Sequence, residues 1–269
     1  MKKRIIYYIS MLLMILNVQL HAVNFKNNQQ IANIFKNEGI KGTFIVYDVQ
    51  NNEFIGYNEK RGEQYYPPAS TFKIFNSLIG LSTGAVKSVD EIFYHYDGSK
   101  VFLESWKNDM SLKKAIKISQ VPAYKQLARM IGLKNMQKNI TKLNYGNEKI
   151  GNKIDTFWLE GPLEITAIQQ TELLAKLATK KLPYPKDIQN SVCEIIELEK
   201  GKDWTLYGKT GWATAKLNPS IGWFVGWVEQ NGQIYGFAIN MDIKNSSMLP
   251  KREEIAKKSL KILELLKED

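Results

Sequence analysis

The spacing of apolar positions changes character four times along the chain. In residues 27–37, Ile31, Ile34 and Phe35 recur at helical spacing and predict a short amphipathic helix. The runs Gly42-Thr43-Phe44-Ile45-Val46-Tyr47-Asp48 and Glu53-Phe54-Ile55-Gly56-Tyr57 then turn β-rich, joined by Gln50-Asn51-Asn52 in a hairpin signature. From residue 70 to about 199 helical spacing dominates, as in 123–131 and 168–177. Strand signals return at 204–208, 221–228 and 235–241, with Asn231-Gly232 as the turn between the last two. A final helix is predicted over about 251–266, with Ile255, Leu260, Ile262, Leu263 and Leu266 on its apolar face. Strands at both ends around a helical middle predict an α/β fold of the α+β type: one antiparallel sheet built from the two termini, flanking helices, and a helical lobe inserted at roughly 80–200. No repeat and no Gly/Ser- or Pro-rich linker divides residues 23–269, so they read as a single domain. A cleft between sheet and lobe is the natural place for a site.

The first residues read differently. Met1-Lys2-Lys3-Arg4 is a basic start, residues 5–20 are mostly apolar and uncharged, and Leu20-His21-Ala22 ends on a small residue. Together they predict a signal peptide, residues 1–22, cleaved after Ala22, and a periplasmic destination. The run is short of the ~20 apolar residues of a span and is broken by Asn17 and Gln19, so no membrane attachment is expected after cleavage.

Composition narrows the chemistry. Lys and Arg number 37 against 27 Asp and Glu, a formal +10 that would suit nucleic acid if it were clustered. Pairs such as Lys180-Lys181 and Lys257-Lys258 are instead scattered among acids, which predicts a solvated surface and no nucleic-acid partner. The one cysteine, Cys193, excludes an intramolecular disulfide and a thiolate zinc cluster. The two histidines, His21 and His95, exclude an HExxH site and leave only His95 for a Ser-His-Asp triad. No metal is expected.

Ser70-Thr71-Phe72-Lys73 opens an apolar helix running to about residue 81, which puts Ser70 at a helix N-terminus and Lys73 one turn along the same face. A hydroxyl then stands beside an amine able to deprotonate it. Ser111-Leu112-Lys113-Lys114 satisfies the same spacing, and a Ser N-cap with a solvated Lys explains either one alone. Lys209-Thr210-Gly211, at the end of a strand, offers a cation, a hydroxyl and a close backbone approach to a substrate carboxylate. Gly208-Lys209-Thr210 imitates the tail of a phosphate-binding loop, but Asp203 stands where that motif needs its first Gly.

Order raises these separate signals. Ser70-x-x-Lys73, Ser119-Gln120-Val121, Tyr145-Gly146-Asn147, residues 157–163 around Trp158-Leu159, and Lys209-Thr210-Gly211 together resemble the class D serine β-lactamases, the oxacillinases, from about Gly42 to the last helix. Ser-x-x-Lys and Lys-Thr-Gly are shared with penicillin-binding proteins and other serine β-lactamases, while class A would show Ser-Asp-Asn where Ser119-Gln120-Val121 stands. The resemblance implies a small-molecule β-lactam substrate and no separate cofactor. It implies Ser70 as the acylated nucleophile, and Lys73, N-carboxylated by carbon dioxide, as the base. Phe72, Val121, Trp158 and Leu159 are implied as walls of a dry pocket around that lysine, with the Trp158 indole donating to the carbamate. Ser119 is implied as proton relay, the N–H groups of Ser70 and Trp212 as the oxyanion hole, and Lys209, Thr210, Gly211 and Arg252 as the carboxylate site. Lys251 is the alternative to Arg252 by one residue. Tyr145 and Asn147 are expected to support the cleft, His95 to be a surface or packed imidazole, Glu160 and Glu164 to be salt-bridged, and Cys193 to be inert. A β-lactam sensor and a penicillin-binding protein share parts of this pattern, but the first carries several membrane spans and the second has no need of the Val121 and Trp158 pocket.

Overall fold

The computed structural model describes residues 24–215 and 217–267, so the predicted signal peptide lies outside the described residues. Among those residues, strands β1 (Phe25–Asn27), β2 (Gly42–Asp48), β3 (Glu53–Tyr57), β4 (Glu197–Lys200), β5 (Trp204–Ala213), β6 (Ser220–Gln230) and β7 (Gln233–Ile243) form one sheet in the order 1-3-2-7-6-5-4. The pairing of β2 with β7 joins the two termini, as the sequence implies. Two short strands were not expected. One of them, β1, lies parallel to β3 and departs from an all-antiparallel sheet.

Local chemistry sets the turns. The Asp48 carboxylate accepts from the N–H groups of Gln50 and Asn51, and Asn52 takes a left-handed φ of 51° to close the first hairpin. Asn231 and Gly232 have φ of 50° and 77°, the left-handed pair that a two-residue turn between twisted strands requires.

The helices are α1 (Gln29–Asn37), α2 (Glu59–Gly62), α3 (Lys73–Ser82), α4 (Leu112–Lys117), α5 (Val121–Ile131), α6 (Leu133–Leu143), α7 (Ala167–Ala178), α8 (Lys186–Ile195) and α9 (Lys251–Ile262). The start of α1 is set by Asn28, whose side chain accepts from the N–H groups of Gln30 and Ile31. On one face of the sheet, α1 and α9 bury Ile31, Phe35, Ile255 and Leu260 with Phe44, Phe224, Val228 and Phe237. On the other, Ile45, Trp223, Val225, Trp227 and Ala238 pack into the core of the helical lobe. Burial on both faces is why residues 221–228 read as a nearly continuous apolar run.

Three boundaries differ from expectation. The lobe ends at Ile195 rather than near 199, because the exposed segment Glu197–Lys200 pairs with β5 as an edge strand. Edge strands carry charge and so lose their apolar signature. Helix α9 stops at Ile262, with Glu264 in a left-handed turn at φ 58°, while Leu265 and Leu266 stay buried beyond it. Strand β5 continues five residues past Gly208 and carries Lys209-Thr210-Gly211 inside the strand rather than at its end. No helix of the described residues is long and apolar enough to cross a membrane.

Candidate active site

A cleft of about 770 Å³ lies between the outer edge of β5 and the helical lobe. Ser70 is at its floor. Thr210, Gly211 and Trp212 line the sheet side, Phe102, Trp106, Ile118, Ser119 and Val121 the lobe side, and Leu249 and Arg252 the approach to α9.

Ser70 belongs to a 3-10 turn, Ala69–Phe72, that runs directly into α3, so it precedes the α-helix instead of opening it. The turn begins with Ala69 at a strained φ of 49° and is held by two contacts: Ala69 N–H donates to the Trp158 carbonyl at 2.9 Å, and Thr71 Oγ1 donates to the Pro68 carbonyl at 2.8 Å. Lys73 is the first residue of α3, one turn beyond Ser70 as the spacing requires. Its Nζ lies 2.9 Å from Ser70 Oγ and 3.0 Å from Ser119 Oγ, and donates to the Ser119 carbonyl at 2.7 Å. Lys73 is completely buried and forms no ion pair among the described residues. Burial, and secondarily the nearby Lys209 charge, push its pKa well below that of an ordinary lysine and favour the neutral amine.

The decoy motif resolves as a cap. Ser111 accepts the Lys114 N–H at the start of α4, and Lys114 is exposed. Ser119 caps nothing, because Gln120 holds the cap position of α5. Its left-handed φ of 56° turns both its carbonyl and its hydroxyl toward Lys73.

The Lys-Thr-Gly segment sits on a free strand edge. Pairing with β4 reaches only Tyr207, whereas the register with β6 continues unbroken to Ala213. Gly208 N–H donates outward to the Ile196 carbonyl at 2.9 Å. Alternation along an antiparallel strand then points the N–H groups of Thr210 and Trp212 outward too, into the cleft. The Ser70 N–H lies at the head of its 3-10 turn, where helix donors have no intrahelical acceptor. Gly211 is needed for contact: a Cβ there would come within 3.0 Å of Thr71 Cγ2 and 3.1 Å of the Pro68 carbonyl. Trp223 Nε1 completes the seating of the nucleophile turn on the sheet by donating to the Pro67 carbonyl at 3.0 Å.

Cations gather at the same edge, with Glu253 close enough to offset them only in part. Lys209 is buried behind Thr210, and desolvation, with the Arg252 charge second, lowers its pKa to about 8. Arg252 lines the cleft, donating from Nη1 to the Gly211 carbonyl at 2.7 Å and from Nε to the Leu249 carbonyl at 2.6 Å. Lys251 is occupied by Glu38 at 2.9 Å and Glu254 at 3.0 Å, so of the two neighbouring cations it is Arg252 that lines the cleft.

Phe72 and Trp158 are fully buried in an aromatic cluster with Tyr145 and Phe157. Val121 and Leu159 are half-buried and line the cleft wall, so they are not part of a fully dry pocket as expected. Trp158 Nε1 is buried with no hydrogen-bond partner, a donor whose desolvation costs about 1–3 kcal/mol unless something accepts it. Tyr145-Gly146-Asn147 supports this region. Asn147 Nδ2 donates to the Pro162 carbonyl at 2.8 Å and its Oδ1 accepts from Glu164 N–H at 3.2 Å. Gly146, at φ 57°, approaches so closely that a Cβ would sit 1.9 Å from the Glu164 carbonyl oxygen.

Other candidates fall away from the cleft. His95 pairs with Asp109 at 2.8 Å on the surface. Cys193 is buried on α8, and burial raises its thiol pKa. Glu160 is exposed at the cleft rim and Glu164 is half-buried; neither forms an ion pair among the described residues, contrary to the expected salt bridging. No cluster of His, Cys, Asp and Glu among the described residues could hold a metal. Trp106, Ile118 and Leu249 line the cleft without having been singled out in the sequence. They lie outside the motifs that carry the resemblance, so only contact across the fold reveals them.

The penicillin-binding protein transpeptidase domain family matches residues 42–261. β-Lactamase OXA-5 of Pseudomonas aeruginosa is 41% identical over 226 residues, covering 83% of this chain and 84% of its own length. β-Lactamase OXA-48 of Klebsiella pneumoniae is 37% identical over 240 residues, covering 89% and 90%. Among solved structures, the class D β-lactamase FUS-1 (OXA-85) of Fusobacterium nucleatum subsp. polymorphum superposes with a TM-score of 0.88 at 54% identity, over 90% of this chain and 100% of the other.

Proposed function

The chain belongs to the class D serine β-lactamases, and from that premise we propose that it hydrolyses the β-lactam ring of penicillin-type antibiotics through an acyl-enzyme on Ser70, so conferring resistance to them. The observation that carries this reading is Lys73: a buried, unpaired amine within hydrogen-bond reach of both Ser70 Oγ and Ser119 Oγ.

Because burial favours the neutral amine, Lys73 can take the Ser70 proton as Oγ attacks the lactam carbonyl carbon. Negative charge developing on the carbonyl oxygen meets the N–H groups of Ser70 and Trp212. As the ring C–N bond breaks, the Ser119 hydroxyl passes a proton to the departing nitrogen and is reprotonated from Lys73. The substrate carboxylate is held by Thr210 and Arg252 on the cleft wall, with Lys209, bonded to Thr210 from behind, adding positive charge, and with Gly211 leaving room for the nucleophile turn against the strand.

We also propose that Lys73 is N-carboxylated by carbon dioxide. The residues present fit such a group: burial supplies the free amine, and the partnerless Trp158 Nε1 is a ready donor to a carbamate oxygen. Phe72 and Trp158 exclude water from beneath Lys73, while Val121 and Leu159 narrow access from the cleft. When present, the carbamate takes the place of the bare amine as the base, both for the Ser70 proton and for the deacylating water. Export to the periplasm, read from residues 1–22, is part of the same proposal.

Sustained turnover of a chromogenic β-lactam, rather than one stoichiometric burst, is the expected result. Intact mass spectrometry with a slow substrate should show one adduct, absent in Ser70→Ala and retained in Ser111→Ala. An adduct persisting in Ser70→Ala would refute the assignment.

A further inference from the structure

We propose that Gln120 is a positioning residue that tunes which β-lactam side chains the cleft accepts, by locking the aromatic wall Phe102–Trp106 to the turn that carries Ser119. The inference rests on the β-lactamase reading above.

Gln120, the middle residue of Ser119-Gln120-Val121, is fully buried although its side chain is polar. Its Nε2 donates to the Trp106 carbonyl at 2.6 Å, and Trp106 Nε1 donates back to the Ile118 carbonyl at 3.2 Å. Two bonds of opposite direction therefore close a ring between the 3-10 turn Glu104–Trp106 and the segment leading into α5. Each side of that ring faces the cleft. On one side Phe102, largely exposed, rests its ring 6.2 Å from that of Trp106. On the other, Ser119 is held at its left-handed φ with carbonyl and hydroxyl on Lys73.

The remaining oxygen of Gln120, Oε1, is buried with no partner. An apolar side chain of the same length would fill this space without burying an unsatisfied acceptor, so space-filling does not account for the amide. What the amide adds is direction: it fixes the height and tilt of Trp106 relative to Ser119. The β-lactam nucleus is fixed by Ser70 and by the carboxylate contacts at Thr210 and Arg252. The substituent left to meet an apolar wall is the acylamino side chain. Wall position consequently bears on side-chain selection, and only weakly on substrates without that group.

The test compares specificity constants of the full chain for a penicillin with an aryl acyl group and for 6-aminopenicillanic acid, which has none. In Gln120→Met the ratio of kcat/KM, aryl over unsubstituted, should fall about 10-fold, the scale on which apolar pockets discriminate, chiefly through a higher KM for the aryl substrate. Trp106→Phe removes the return donor and keeps an aromatic ring. It should shift the ratio the same way, and the double variant should shift it no further than the larger single change. Hydrogen exchange of the Trp106 indole, followed by NMR, should accelerate in Gln120→Met. A proportional loss for both substrates, an unchanged ratio, or additive single effects would overturn the proposal. If Gln120→Met does not fold, an unchanged ratio in Trp106→Phe overturns it alone. Failure of the wild type to turn over either substrate would instead defeat the β-lactamase reading itself.

Discussion

Replacing Lys209 by Met should stabilise the protein while disabling it. Lys209 is buried, and its pKa falls from 10.5 to about 8. At about 1.4 kcal/mol per pKa unit, holding its charged form inside the fold costs about 3 kcal/mol at neutral pH. Methionine has similar length and no charge, but it gives up the bonds from Nζ to Thr210 O at 3.1 Å and Oγ1 at 3.4 Å, together worth about 1 kcal/mol. The net gain is about 2 kcal/mol, or roughly 5 °C in Tm for a chain of this size. The effect has a pH signature. Below about 8 the lysine is protonated in both folded and unfolded chains and the full cost is present. Between about 8 and 10.5 the folded chain is neutral while the unfolded chain still binds the proton, so wild-type stability rises with pH and the gap to the variant closes. Urea denaturation of both proteins at pH 7 and pH 10 measures this, since every other titrating group is common to the pair and only Lys73, whose pKa the Lys209 charge lowers as the lesser of two causes, is affected by the substitution. Activity should move oppositely, with kcat/KM for carboxylate-bearing substrates falling steeply in Lys209→Met. Equal stability of the two proteins at pH 7, or a gap that is the same at both pH values, would show that Lys209 is not buried at a cost, and the reasoning would fail.

Arg252→Ala should raise KM for carboxylate-bearing β-lactams by about 10- to 100-fold, the worth of a charged hydrogen bond, while Lys251→Ala, engaged with Glu38 and Glu254, should leave KM nearly unchanged; steady-state kinetics separates them. Trp158→Phe removes a donor that nothing in the protein accepts, so folding stability should hold while the carbamate signal from ¹³C-bicarbonate weakens and acyl-enzyme accumulates; an undiminished signal with normal turnover would count against carboxylation. Gly146→Ala should destabilise by on the order of 3 kcal/mol, since the Cβ meets the Glu164 carbonyl and φ is left-handed, and denaturant titration would report it.

Most of the sheet was legible because burial on both faces leaves long apolar runs, and because Gln50-Asn51-Asn52 and Asn231-Gly232 carry turn chemistry in their own residues. The strands that were missed, β1 and β4, are short and at the sheet margins. Their polar composition satisfies backbone pairing without contributing to a core, so no period betrays them.

Legible in the residues alone was the chemistry on offer: a hydroxyl and an amine one helical turn apart at Ser70 and Lys73, a Lys-Thr-Gly strand segment, one cysteine, and a motif order that resembles the class D serine β-lactamases. Spacing along a single element is a local property, and three residues along a helix are neighbours whatever surrounds them. Which of the two Ser-x-x-Lys motifs is served by a buried amine was set by the tertiary structure, because Lys73 is buried against Ser119 and the Tyr124 ring of α5, both distant in sequence. It also decided that Arg252 and not Lys251 faces the cleft, that Lys209 stands on a free strand edge where β4 stops, and that a buried glutamine ties the aromatic wall to Ser119. Each of those depends on desolvation or on contact across the fold, quantities set by what packs against a residue and not by the residue itself.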